Sequence, residues 1–155
     1  MSYTFKDKTG REWDLAITLG GARRVLNAVE VDLLNPASET GKGVLSMRLM
    51  SDDVLLYNVV VAIISPQLDK ANVKEEAFAE EIDGEVMRGL ESAFWNSYRN
   101  FFKARGKDWA AKAIEADLKA RSEATAKAEK NIEALTGEPS FEQLEEPEPP
   151  QFGNA

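Results

Sequence analysis

Hydrophobic positions change period along the chain. Phe5 lies before Lys6-Asp7-Lys8-Thr9-Gly10, and after it Trp13, Leu15, Ile17 and Leu19 alternate with other residues. Period two on both sides of a glycine-containing turn predicts an N-terminal β-hairpin. A lone two-stranded hairpin is marginal in water, so Phe5, Trp13, Leu15 and Ile17 are expected to pack on helices or on a partner's strand. Gly20-Gly21 then reads as a hinge into a short helix over 22–29, with Val25, Leu26 and Val29 on one side and Arg23 and Arg24 opposite. Residues 35–43, from Asn35-Pro36 to Gly41-Lys42-Gly43, are rich in turn formers and read as a mobile loop.

From residue 44 onward the pattern is helical. A short amphipathic stretch over 44–50 precedes Ser51-Asp52-Asp53, an N-cap with first-turn acids for the apolar run 54–64, which is expected to stop before Pro66. Asn72 with Glu75 three residues later has the form of a capping box for a helix carrying Phe78 and Ile82. Asp83-Gly84 breaks that helix, and Val86, Leu90, Phe94, Tyr98 and Phe101 then mark one face of the next. Between 107 and 135 the large apolar residues are few, while Asp108/Lys112, Glu115/Lys119, Asp117/Arg121 and Glu123/Lys127 stand at i,i+4. Each such pair adds about 0.2–0.5 kcal/mol, enough with the many alanines to predict a long, solvated helix.

The expected fold class is therefore α+β, mainly α-helical, with an N-terminal β-hairpin and a long C-terminal helix. Three regions follow: a folded domain over 1–104, the charged helix over 105–136, and an acidic, proline-rich tail over 137–155 expected to be disordered. That tail holds five glutamates, four prolines and no basic residue. The net charge of −8 falls to −3 once it is set aside, so the body is only mildly acidic.

Composition removes whole chemistries. With no cysteine and no histidine, the chain has no thiolate or imidazole for zinc, haem or a nucleophilic triad. No catalytic, cofactor-binding or metal site is expected. The acidic charge argues against nucleic acid, and no apolar run approaches the ~20 residues of a bilayer span. Asp52-Asp53 and Glu80-Glu81-Asp83 are better read as helix-start charges than as paired catalytic acids, so a hydrolase built on Asp52, Asp53 or Tyr57 is the weakest reading. Gly20-Gly21-Ala22-Arg23-Arg24 lacks the spacing of a phosphate loop.

The remaining candidate is a surface. Phe94, Trp95, Tyr98, Phe101 and Phe102 crowd one short segment; Phe94, Tyr98 and Phe101 share a face, and Trp95 and Phe102 turn away from it. Two readings stay open for the second group: an exposed anchor patch formed by Trp95, Arg99, Phe102, Arg105 and Trp109, aromatic residues edged by cations, or plain packing of Trp95 and Phe102 under the last helix.

Trp13-Asp14-Leu15-Ala16-Ile17-Thr18, Arg23-Arg24-Val25 and Val31-Asp32-Leu33-Leu34-Asn35 resemble the opening of tail assembly chaperone-like proteins of long-tailed (siphovirus-type) phages and prophages. The apolar run 54–64, Phe78, Asp83-Gly84 and Phe101-Phe102 are similar in order and spacing, so the resemblance covers roughly residues 2–102. Lys103 replaces the proline expected after the paired phenylalanines, and the C-terminal extension has no counterpart. The resemblance implies a non-catalytic chaperone in the host bacterial cytoplasm, whose partners are the tape-measure protein and the tail tube protein. Self-association stays open as a further interaction. The alternative is a structural virion component, a tail-completion or connector subunit.

Overall fold

The computed structural model describes residues 3–136 except 38, 41 and 42, with backbone alone at 39, 40 and 43. The chain divides into two units, Met1–Leu118 and Lys119–Ala155. It is mainly α-helical, with an N-terminal hairpin and a long C-terminal helix.

β1 (Thr4–Lys6) pairs antiparallel with β2 (Glu12–Asp14), Phe5 opposite Trp13. The turn between them is organised by the buried carboxylate of Asp7. Its Oδ1 accepts from the Thr9 and Arg11 amides and from the Thr9 hydroxyl, and its Oδ2 accepts from Trp13 Nε1 at 2.9 Å. Burial pushes the Asp7 carboxyl up, but these hydrogen bonds to its charged form outweigh burial and hold it below the usual value of 3.8. Gly10, at φ +83°, completes the turn in a conformation that side chains disfavour.

The hairpin packs on helices, and side chains occupy its backbone groups. Trp13 and Phe5 meet the ring of Phe78, at 5.3 and 6.4 Å between centroids. Gln67 imitates a neighbouring strand: its Oε1 accepts from the Asp14 amide at 3.0 Å and its Nε2 donates to the Asp14 carbonyl at 2.8 Å. Beyond β2, the buried Ser97 hydroxyl donates to Leu15 O and accepts from Ile17 N, fastening the extended segment to a helix.

α1 (Leu19–Val29) starts earlier than expected, because Thr18 caps it through the Gly21 amide and both glycines fit within its first turn. Two of its side chains also depart from the amphipathic expectation: Leu26 is exposed, and Arg24 turns inward. The expected loop over 35–43 contains a short antiparallel pair, β3 (Glu39–Thr40) with β4 (Gly43–Val44), and its residues 38, 41 and 42 lie outside the described ones. α2 (Leu45–Ser51) follows.

α3 (Asp53–Lys70) is the central helix, capped by Asp52 through the Leu55 amide. The sequence predicts an end before Pro66, yet the helix runs through it. A proline inside a helix strips a hydrogen bond from the carbonyl four residues earlier, at a cost of about 3 kcal/mol. Here that carbonyl, Ala62 O, accepts from Arg24 Nε at 3.1 Å, and the next one, Ile63 O, accepts from Arg24 Nη2 at 2.9 Å. The inward turn of Arg24 and the survival of the helix past Pro66 have one cause.

Asn72 serves the end of α3 rather than the start of the next helix. It adopts a left-handed φ of 56°, its amide bonds to Asp69 O, and Val73 N bonds to Leu68 O, a Schellman termination. The expected capping box therefore does not form; α4 (Glu75–Glu80) starts after Lys74 with no side-chain cap. Asp83 caps α5 (Gly84–Ala104), which ends in a second Schellman turn at Gly106, with Lys107 N bonded to Phe102 O at 2.9 Å.

α6 (Asp108–Thr136) enters the first unit's core through Ala110, Ala111 and Ile114, so that unit continues beyond residue 104 to Leu118. Two acids expected to pair within the helix bond elsewhere: Glu115 with Lys103 at 3.1 Å and Arg99 at 3.9 Å, and Asp117 with the Ser46 hydroxyl at 2.7 Å. From Lys119 to Thr136 every residue is exposed. The tail expected to be disordered lies outside the described residues.

Candidate functional site

The expected anchor patch is not assembled. Trp95 is 6% and Phe102 0% exposed, so neither is a surface anchor. Aromatic residues of both groups belong to the core: Trp95 packs 5.0 Å from Phe94, Phe102 lies 5.2 Å from Tyr98, and Phe101 is half-buried. The Tyr98 hydroxyl donates to Leu33 O at 2.7 Å. Burial, with the charge of Asp32, pushes that hydroxyl far above its usual range, so it stays a donor. Arg99 is half-buried, bonded to Asn96 and paired with Glu115. Of the five residues, Arg105 and Trp109 remain exposed. The Arg105 guanidinium lies over Phe101 at 5.5 Å. Trp109, 61% exposed, borders a crevice of about 40 Å³ with Pro36, Val44 and Ala113.

Two of the carboxylates singled out in the sequence serve the fold. Asp52 and Asp83 are helix caps. Tyr57 donates to Glu75 at 2.6 Å, joining α3 to α4, and its ring stacks on Phe78 at 6.1 Å. Burial, then the hydrogen bond and charge of Glu75, push the Tyr57 hydroxyl well above its usual range. A phenol held protonated in this way is a poor general base. Among the described residues no group of three or more acids is placed to hold a metal ion.

A larger concavity lies elsewhere, on the outward side of α3. This groove of about 740 Å³ has α3 as its floor, at Asn58, Val61, Ala62 and Ser65, with α1 along one side and Glu75 on the other. A second hollow of about 390 Å³ shares Val61, Ser65 and Glu75 and extends past Asp69 to Asn72. Together they follow one stripe of α3, at steps of three and four residues from Asn58 to Asp69, the spacing of one helical face. The floor is apolar at Val61 and Ala62 and carries hydrogen-bonding groups at Asn58 and Ser65. Exposed apolar side chains also occur outside the groove lining, Leu26 on α1 and Val54 at the start of α3.

Sequence reading misses this stripe because the run 54–64 reads as apolar almost all round. The signal is present in Asn58, Ser65 and Asp69, polar residues at helical spacing inside an otherwise hydrophobic helix. Arg24 escapes notice as well, since its partners are backbone carbonyls 38 and 39 residues away.

No family model matches the chain, and neither a curated protein nor a solved structure matches it. No single helix among the described residues is long and apolar enough to cross a membrane.

Proposed function

We propose that the protein is a non-catalytic tail assembly chaperone of long-tailed phages, acting in the host bacterial cytoplasm on the tape-measure protein and the tail tube protein. The observation that carries the binding part of this reading is the open groove along α3, apolar at its floor and edged by hydrogen-bonding side chains. A concavity of this form suits an amphipathic helix laid lengthwise, the helix-in-groove mode of peptide recognition. The sequence resemblance supplies the identity of the partner, and the tape-measure protein, long and prone to aggregate, is the one that needs such cover.

Co-expression with a tape-measure protein encoded beside it is expected to raise that protein's soluble yield and to co-purify the two. Ala28→Arg with Asn58→Arg places two long charged side chains at exposed groove positions. That variant is expected to keep its melting temperature and lose co-purification. No gain in solubility from the wild-type chain overturns the chaperone reading. Stoichiometric recovery of the chain in finished virions does so too, and makes it a structural component.

A further inference from the structure

Leu118, Arg121, Thr125, Ala128, Ile132 and Leu135 follow one another along α6 at alternating steps of three and four residues, the a/d spacing of a coiled-coil seam. The same stripe begins at Ala111 and Ile114, where it is buried in core. Past Leu118 it is exposed, with Ile132 at 58% and Leu135 at 86%. At 1.5 Å per residue the exposed part runs for about 27 Å. A purely solvated helix has no need of an isoleucine and a leucine one turn apart on a single face.

We infer that residues 119–136 of α6 pair antiparallel with the same segment of a second copy of this chain. The segment is complementary to itself in that direction and not in the other. With the two-fold axis between residues 126 and 127, Ile132 of one copy faces Arg121 of the other, Ala128 faces Thr125, and Leu135 meets the half-buried Leu118 that borders the other copy's segment. The small pair at the centre lets the helices approach closely, while the larger side chains close the seam at its ends. Each Arg121 extends its stem along Ile132 of the second copy and brings its guanidinium toward that copy's Glu129. Parallel pairing instead sets Arg121 against Arg121 in the seam, like charges with no acid between them. Antiparallel pairing separates the two arginines by about 16 Å along the axis, roughly two Debye lengths at physiological salt. It also opposes the two helix dipoles. The pairing does not depend on what the α3 groove binds.

The absence of cysteine makes the test clean, because any introduced thiol is the only one in the chain. Sedimentation of the full chain over a range of concentrations is expected to show a monomer–dimer equilibrium. Ile132→Asp with Leu135→Asp, both at exposed positions, is expected to weaken the dimer at least about 100-fold while leaving the melting temperature at monomeric dilution unchanged. Under mild oxidation a mixture of Arg121→Cys and Ile132→Cys chains is expected to form a disulfide-linked heterodimer, whereas neither variant cross-links to itself. A chain that stays monomeric at all concentrations overturns the pairing, as does a dimer indifferent to the double aspartate. Self-cross-linking of each single variant overturns the antiparallel direction.

Discussion

α3 and the exposed part of α6 are both regular helices, yet they are stabilised by different means. α3 is apolar on most sides, and Leu56, Val59, Val60, Ile63 and Ile64 are buried from several directions by α1, α2 and the hairpin. It even contains a proline, tolerated because Arg24 supplies a hydrogen bond to Ala62 O, the carbonyl that the ring deprives of its helical donor, and a second to the neighbouring Ile63 O. Residues 119–136 of α6 have no buried side chain, and their helicity rests on alanine and on long charged residues with good intrinsic propensity. Tertiary packing can therefore override a strong local breaker such as Pro66, whereas a solvated helix must have no breaker at all, and the described part of α6 contains neither proline nor glycine.

Truncating a side chain in each region gives the sharpest contrast. Phe94→Ala removes a fully buried ring from the aromatic cluster of α5 and is expected to cost about 3–5 kcal/mol in chemical denaturation. Leu135→Ala, in the exposed part of α6, is expected to change monomer stability by no more than about 0.5 kcal/mol. Equal losses would mean that residue 135 is covered within the monomer, which would break the comparison.

A smaller effect is expected at the proline. Arg24→Met keeps much of the apolar stem and removes both hydrogen bonds to Ala62 O and Ile63 O, for an expected loss of about 1.5–3 kcal/mol. In a Pro66→Ala background the loss should shrink, because the amide that the substitution restores then bonds Ala62 O within the helix. A double-mutant cycle in urea measures that coupling, and strict additivity would show that Arg24 stabilises the fold by some other contact.

The hairpin supplies a smaller loss again, and the one that depends on pH. The folded Asp7 carboxyl lies below its usual value, so its contribution is complete above pH 3.8 and is lost as pH falls through the lower, folded value. Asp7→Asn points an amide at Trp13 Nε1 or at the turn amides, donor against donor, and is expected to cost about 1–2 kcal/mol at pH 7. The gap between wild type and variant should narrow as the pH drops below 3.8. A gap independent of pH would mean that Asp7 acts through shape rather than through its charge.

Much of the fold is legible in the sequence because it rests on local signals. The hairpin follows from period-two alternation around Gly10, the cap of α3 from Asp52, and the break before α5 from Asp83-Gly84. The readings that fail each turn on a distant partner. Pro66 ends a helix only if its orphaned carbonyl stays orphaned, and Arg24 lies 42 residues away in sequence. Asn72 at the spacing of a capping box can equally end the preceding helix, and Leu68 and Asp69 claim it. The aromatic cluster of α5 leaves one group of rings open to an exposed reading, but Phe94, Trp95, Tyr98 and Phe102 all join one core with residues from the hairpin, the segment around Leu33 and the start of α6.

The helical character of most of the chain, its N-terminal hairpin, its lack of thiol and imidazole chemistry, and the segregation of negative charge into 137–155 are all written in the residues alone. Those properties depend on residue type and on spacing within one element. Which faces remain open was decided only by tertiary structure. Burial depends on what other elements bring alongside, so Trp95 and Phe102, which looked like anchors, became core. The stripe from Asn58 to Asp69, hidden in an apolar run, became the floor of the groove.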